Sequence, residues 1–481
     1  MKMNGYQLVI TVFGNRQYLA VLQGTLLKYF FVETQSHHSA VGQIYCGKVV
    51  RMMPGIDAAF VEIGQERAAF LHKKDMCTGV PSAGQKVLVQ VLKDPISTKG
   101  ARLTTDLTIP STYLVYQPFA HENGISQKIT SEDERTRLRQ WLVELDCKGI
   151  IIRTAAQGAS YEELQRDYEY LMLVWNGIQE SMRALPGHAG PQRIWADLDA
   201  PLRIIRDLAK LQLEKIYVNS ETLYANIVAF MKDFFPHIQA DIVFEKGSIT
   251  GLSRFQIAHQ VMQSLAAKIP LLSGGTVIIE QTESMVTVDV NTSGFIGSAG
   301  KDADDTILKT NLEAVAVLER QIPLRELGGV IVIDFIDMQN TDHRAQLEKA
   351  LESAFESDLM PTQIFPISPI GLVQMTRKRT TESGSRKFLL PCPCCNHGHV
   401  LVDAQLLLLK ALAYLERITC RENVRVVILA ARPDVLTFFN TERQLWIDYH
   451  GFENATWETR EIHGVHNELT VSVLTASDLE L

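Results

Sequence analysis

Apolar and polar residues alternate through the first 35 positions (Leu8, Ile10 and Val12, then Leu19 and Val21), a period of two that predicts short strands. Further strand candidates crowd residues 42–52, 58–63, 68–72 and 86–92, separated by turn signals at Pro54-Gly55, Gly64-Gln65 and residues 81–84. So many short strands in so little chain predict a small barrel. The period changes after Ser131. Leu138, Trp141, Leu142 and Leu145 recur at helical spacing, as do Leu164, Tyr168, Leu171 and Trp175, with a strand candidate at 149–153 between them. Beyond a Gly- and Pro-containing loop at 186–191, helices and strands alternate to residue 280. Residues 285–340 then read strand, polar loop, helix, strand. Met285 to Asn291 is β-rich, Leu308, Leu312, Val315, Leu318 and Ile322 form one helix face, and Gly328-Gly329 introduces an apolar strand at 330–336. This is a βαβ-like unit. A basic tract at 375–387, a cysteine cluster and a mixed α/β tail complete a multidomain α/β pattern.

The length of 481 residues accommodates about three domains. With 46% hydrophobic and 21% charged residues, the composition excludes wholesale disorder, collagen-like repeats and a disulfide scaffold. Net charge is −8, but residues 1–120 carry 12 Lys+Arg against 7 Asp+Glu, a balance of +5, leaving −13 for the rest. A basic front on an acidic body suggests a polyanion-binding module. Three of the seven cysteines (Cys392, Cys394, Cys395) sit together, and the others are scattered as in a reducing compartment. No signal peptide opens the chain and no apolar run is long enough to span a membrane. The expectation is a soluble, cytoplasmic protein.

The period of two along Val286-Thr287-Val288-Asp289-Val290-Asn291 puts the three valines on one face and Thr287, Asp289 and Asn291 on the other. Asp334 interrupts the apolar strand at 330–336, where a buried carboxylate would need compensation. Two such strands joined by a helical crossover would be parallel neighbours, bringing Asp289 and Asp334 together. Close carboxylates repel, and a bound Mg²⁺ relieves that repulsion and can activate water. Both residues could instead cap strand ends, and Asp302, Asp304, Asp305 and Asp337 are rival ligands on spacing alone. In the barrel, Phe60 and Phe70 lie next to basic residues, an arrangement suited to stacking single-stranded bases, with burial in the barrel core as the alternative.

Residues 42–72 resemble an S1-type OB barrel. Asp289 to Thr292, Thr310 to Ala314 and Leu327 to Met338 are similar to the catalytic strings of the ribonuclease E/G family, and 149–155, 375–383 and Cys392-Pro393-Cys394-Cys395 match in order. The resemblance covers nearly the whole chain. It implies a ribonuclease-H-like subdomain (1–35 and 216–279), an S1-type OB RNA-binding domain (36–118) and a 5′-sensor subdomain (119–215). A deoxyribonuclease-I-like catalytic subdomain (280–387), a zinc-link (388–400) and a small mixed α/β C-terminal domain (401–481) would follow.

By that resemblance Asp289 and Asp334 are Mg²⁺ ligands, Asp334 in preference to Asp337, and Asn291 holds the scissile phosphate or the attacking water. The implied reaction is hydrolysis of single-stranded A/U-rich RNA leaving 5′-phosphate and 3′-hydroxyl ends, in ribosomal RNA maturation and mRNA turnover. Phe60, Phe70 and Lys99 would contact RNA. Arg153 and Thr154, with Val115 beside them, would read a 5′-monophosphate, to which an Arg fork can donate bidentate bonds. Cys392 and Cys395 would supply half of a structural Zn²⁺ site, and since such a site closes with four ligands, a second protomer would complete it. The expected partners are therefore single-stranded RNA and a second copy, as a dimer and possibly a tetramer.

Four positions depart from the family pattern: His397 where Gly is usual, Cys394 as a third thiol, Ser293 as an insertion, and Cys46 in place of a barrel lysine, which would remove charge from the RNA face. The chain runs 86 residues past Cys395, and this remainder is apolar enough to fold. That, with the 375–383 run, points to the ribonuclease G-like branch without a degradosome-scaffolding extension. The competing readings are an RNA-binding protein that has lost catalysis, and a metal-dependent phosphodiesterase acting on DNA or a small nucleotide.

Overall fold

The computed structural model describes residues 5–34, 40–77, 79–95, 100–186, 190–196, 198–208, 211–235, 238–245, 250–292, 301–379, 383–391, 399–418, 424–450, 452, 454–462 and 467–475. Only backbone is described at 233, 301–303 and 399–400. The chain divides into two compact units, one of residues 1–34, 211–226 and 239–481, the other of 35–210 and 227–238.

In the second unit, Ile44–Met53, Ala58–Glu62, Ala69–His72, Arg102–Thr104 and Lys86–Lys93 pair in that order, and the last pairs back with the first, closing a five-stranded barrel. Closure removes the free edges that short strands would otherwise expose. Ala59, Val61, Ala69, Leu71, Val89 and Leu103 fill its interior. Gln192–Trp195 adds to the outside of Ile44–Met53. A second sheet orders Gly124–Ile125, Ile150–Ile152, Leu114–Tyr116 and Ile109–Pro110. It therefore begins before the expected boundary at 119, because Leu114–Tyr116 pairs antiparallel with Ile150–Ile152. Helices Glu132–Leu145 and Tyr161–Ala184, N-capped by Ser131 and Ser160, bury Leu138, Trp141, Leu164 and Leu171 against it.

In the first unit, a five-stranded sheet orders Asp241–Phe244, Leu213–Val218, Tyr6–Phe13, Arg16–Gln23 and Leu26–Thr34. A six-stranded sheet orders Lys268–Pro270, Thr276–Gln281, Met285–Asn291, Gly329–Asp334, Leu372–Arg377 and Thr362–Ile364. It takes in residues from 268, ahead of the expected boundary at 280, because Lys268–Pro270 and Thr276–Gln281 form a hairpin on Met285–Asn291. Helices Lys301–Leu324 and Thr341–Phe355 cover one face of it, with Leu318, Ile322, Leu347 and Leu351 meeting Val286, Val288, Ile331 and Ile333.

The tail forms a sheet of Thr456–Glu461, Val424–Ala431 and Thr470–Thr475 with helices Ala404–Ile418 and Pro433–His450. It is not a separate core: Leu407, Phe439 and Trp446 share one apolar cluster with Val9, Phe13, Leu22 and Phe30. Glu416, 1% exposed, lies in that junction and accepts hydrogen bonds from Thr250 Oγ1 and from Tyr449 Oη at 3.0 Å. Burial pushes its carboxyl up to about 7, against the pull of those donors. Among the described residues, no helix is long and apolar enough to cross a membrane.

Candidate active site and RNA-binding face

Met285–Asn291 and Gly329–Asp334 are parallel neighbours, and Asp289 sits directly opposite Asp334. Side chains in register on adjacent strands point to the same face. Here that face is the one away from the covering helices: Val286, Val288, Val290, Ile331 and Ile333 are buried, whereas Asp289, Asn291 and Asp334 are exposed. The burial cost expected for Asp334 therefore does not arise. Asn291 Nδ2 donates to Asp289 Oδ2 at 2.6 Å, holding that carboxylate in place.

None of the described rival carboxylates is a register partner of Asp289 or Asp334. Asp337 lies past the end of its strand, against the turn at Gly371. Asp304 and Asp305 are exposed on helix Lys301–Leu324, with Asp305 Oδ1 3.6 Å from His343 Nε2, and the side chain of Asp302 is outside the described set. Among the described residues no group of three or more His, Cys, Asp or Glu is placed to hold a metal. Asp289 and Asp334 together offer a cation two carboxylates, an arrangement suited to an ion such as Mg²⁺ that keeps several waters.

One residue of this site was not singled out by pattern. Asn311, fully buried on helix Lys301–Leu324, donates from Nδ2 to the Ile336 carbonyl at 2.9 Å and accepts from the Ile336 N–H at 3.1 Å. It thereby clamps the backbone two residues beyond Asp334. Its signal is a lone Asn on the core side of a helix, where an unpaired amide would be costly.

In the basic tract that follows, Arg377 is buried while Lys378, Arg379 and Arg386 are exposed. Arg377 forms a two-point ion pair with Asp358 (2.7 and 3.0 Å) and donates to the Leu327 carbonyl at 2.8 Å. Burial alone would raise the Asp358 carboxyl, but Arg377 holds it below its ordinary value. Arg379 donates to the Gly328 carbonyl at 2.9 Å, and Lys387 pairs with Glu326 at 2.8 Å.

On the barrel, Phe60 and Phe70 are register partners on the second and third strands, with ring centroids 6.1 Å apart. Their neighbours Ala59, Val61, Ala69 and Leu71 point into the barrel, so the two rings lie on its outer face, half-buried, and the core alternative does not hold. The Arg51 guanidinium sits 5.7 Å from the Phe60 centroid and the His72 ring 6.2 Å from Phe70. Lys99 lies outside the described residues. Cys46 is buried, so its thiol takes no charge from an exposed face.

In the second sheet, Val115 pairs with Ile151, and Arg153 follows at the strand end. Arg153 Nη1 donates to the Ser111 and Thr112 carbonyls, and Thr154 Oγ1 lies 2.9 Å from Ser126 Oγ. The turn carrying Ser111 and Thr112 is pinned by half-buried Asp167, which accepts from Ser111 Oγ and from the N–H groups of Thr112, Tyr113 and Leu114. Cys392, Cys394, Cys395 and His397 lie outside the described residues, as does Ser293. The strands flanking the cysteine cluster, Leu389–Pro391 and His399–Val402, pair as an antiparallel hairpin.

The model of the ribonuclease E/G family matches residues 108–380. Ribonuclease G of Salmonella typhimurium (strain SL1344) is 40% identical over 416 residues, covering 82% of this chain and 83% of that protein. Ribonuclease G of Escherichia coli (strain K12) is 39% identical over the same length and the same shares of each chain. Ribonuclease E of Haemophilus influenzae is 32% identical over 446 residues, 89% of this chain but 47% of that longer protein.

Proposed function

Because the chain belongs to the ribonuclease E/G family, on its ribonuclease G-like side, we propose that this endoribonuclease cuts single-stranded A/U-rich RNA by Mg²⁺-dependent hydrolysis at Asp289, Asn291 and Asp334. The observation that carries the reading is the direct pairing of two exposed carboxylates on parallel strands, with an amide bonded to one of them. Asp289 and Asp334 would hold the ion. A Mg²⁺ bound there supplies positive charge to the phosphate and lowers the pKa of a water. Asn291, anchored through its Nδ2 to Asp289, orients the scissile phosphate or the water. Asn311 keeps the backbone after Asp334 from drifting.

Phe60 and Phe70 stack unpaired bases, with Arg51 and Lys99 adding positive charge along the strand. The second and third strands of an OB-type barrel are its usual oligonucleotide face, which favours this placement. Arg153 and Thr154, with Val115 beside them, read a 5′-monophosphate, and the carbonyl bonds of Arg153 hold its guanidinium ready at the strand end. Cys392 and Cys395 share a structural Zn²⁺ with the same pair of a second copy, making the unit a dimer. The subdomain assignments follow the family pattern, with ribosomal RNA maturation and mRNA turnover as the roles.

The test pairs two single-stranded A/U-containing RNAs that differ only in a 5′-monophosphate or 5′-hydroxyl. Internal cleavage that is faster for the monophosphate and stopped by EDTA is expected. Tight binding without cleavage would favour an RNA-binding protein that has lost catalysis.

A further inference from the structure

Two of the most exposed large apolar side chains among the described residues are Leu272, 101% exposed, and Ile370, 78% exposed. Singly exposed apolar residues are ordinary on protein surfaces. These two differ in where they stand. Leu272 is at the tip of the turn between Lys268–Pro270 and Thr276–Gln281, and Thr276 pairs with Asn291. Ile370 is in the turn that leads into Leu372–Arg377, and Leu372 pairs with Asp334. Both tips therefore rise at the end of the sheet that carries the carboxylate pair, one on each side of it.

Tight turns favour Gly, Asn, Asp, Ser and Pro, so a large aliphatic side chain in solvent at both tips goes against turn chemistry. Both tips are also held firmly. Leu271 N–H donates to the Gly275 carbonyl at 2.8 Å, and Ser273 N–H donates to Glu313 Oε2 at 2.9 Å. A side chain at Gly275 would strike the Asn291 carbonyl, so this turn sits directly on the catalytic strand. In the other turn, Gly371 adopts φ +86°, a left-handed conformation that favours glycine, and its N–H donates to the Ser368 carbonyl at 2.9 Å. The Ser368 hydroxyl accepts from Leu372 N–H at 3.1 Å.

We infer that Leu272 and Ile370 are specificity-determining residues, apolar posts against which the unpaired nucleobases on either side of the scissile phosphate lie. The inference rests on the catalytic reading of Asp289 and Asp334. The strands bearing the tips are separated by three strand intervals, about 14 Å, with the carboxylate strands between them. Only an unpaired base can turn its face to an aliphatic side chain, because bases in a duplex are already stacked. The posts would thus help make single-strandedness a requirement at the cut itself. Two isolated side chains are too small for a stable protein interface, which favours the RNA as occupant.

The test uses full-length wild type, Leu272→Ser, Ile370→Ser and the double variant. The substrate is a 5′-monophosphorylated RNA pool randomised at the nucleotides flanking one cleavage position. Each single substitution should raise KM roughly fivefold, about what partial burial of an aliphatic side chain is worth. The base preference next to the cut should flatten, while kcat, Mg²⁺ binding by calorimetry and the melting temperature stay at wild-type values. Unchanged KM and base preference would overturn the inference. So would wild-type preferences with an altered oligomeric mass in light scattering, which would make the tips an interface between copies. A wild-type protein that cuts no RNA with Mg²⁺ strikes down the catalytic reading as well, whereas normal cutting by indifferent tips strikes down this inference alone.

Discussion

Replacing Asp334 by Asn should make the protein more stable in the absence of metal while abolishing its cleavage. Asp289 and Asp334 face each other on adjacent strands, and neither forms an ion pair among the described residues. Neighbouring strands are about 4.8 Å apart, and two like charges about 5 Å apart repel by roughly 0.8 kcal/mol in the dielectric of water. The low-dielectric figure does not apply, because both carboxylates are exposed. Removing about 1 kcal/mol of repulsion should raise the melting temperature of a unit this large by roughly 2 °C in EDTA. Mg²⁺ should reverse the order of the two proteins by stabilising the wild type alone. At a hundredfold excess over its Kd, a bound ion adds about 2.7 kcal/mol to the wild type, and the variant should gain almost none of it.

The assay is thermal denaturation of both proteins in EDTA and across a Mg²⁺ titration, beside an RNA cleavage time course. Asp289→Asn supplies an internal control. It relieves the same repulsion but weakens the charge-assisted bond from Asn291, so it should be less stable in EDTA than Asp334→Asn. A variant that melts below wild type in EDTA, or that keeps the full Mg²⁺-dependent rise, would refute the reasoning and move the ion to Asp337 or the 302–305 acids.

Asn311→Ala leaves the Ile336 N–H and carbonyl without their partner and should cost roughly 2 kcal/mol, read as a lower urea midpoint, together with weaker Mg²⁺ binding in calorimetry. Phe60→Ala and Phe70→Ala should each weaken single-stranded RNA binding by about 1–3 kcal/mol in fluorescence anisotropy with little change in melting temperature; wild-type affinity would return the rings to a packing role. Glu416 makes stability pH-dependent: its carboxyl is raised to about 7 when folded, so between its unfolded value of 4.5 and that point the folded state holds a proton the unfolded chain has released. Stability from this group is complete at low pH and is lost as pH rises through about 7, by about 3 kcal/mol in total. Glu416→Gln should flatten the decline between pH 5 and 8, and an unchanged slope in denaturant titrations would place its origin elsewhere.

Local patterns made much of the fold legible. The strand expected at 42–52 is Ile44–Met53, and the β-rich run from Met285 is a strand over the same residues. The helical crossover predicted parallel neighbours, and the two strands pair in parallel with Asp289 opposite Asp334. Both inferences need only a short-range period and a chirality of connection. What stayed hidden depends on partners far along the chain. Nothing in the tail's own pattern says that Leu407 and Trp446 will bury themselves with Phe13 and Phe30. The hairpin at 268–281 could have belonged to either neighbouring sheet, because alternation specifies a face and not a partner.

The candidate site divides along the same line. A carboxylate that interrupts an apolar strand is visible in one dimension, because its strangeness is local. Asn311 is fainter: its place on the apolar face of its helix is odd, but only its bond to a backbone 25 positions away gives it a task. The basic tract shows the same dependence on distant partners. Arg377 meets Asp358, 19 positions earlier, at 4% and 2% side-chain exposure. Once both sides of that pair are buried, removing either one strands the other charge in the core, at a cost of several kcal/mol. A substitution at Arg377 would therefore lower cleavage by loosening the strand Leu372–Arg377, which pairs with the strand carrying Asp334, without that arginine ever touching RNA.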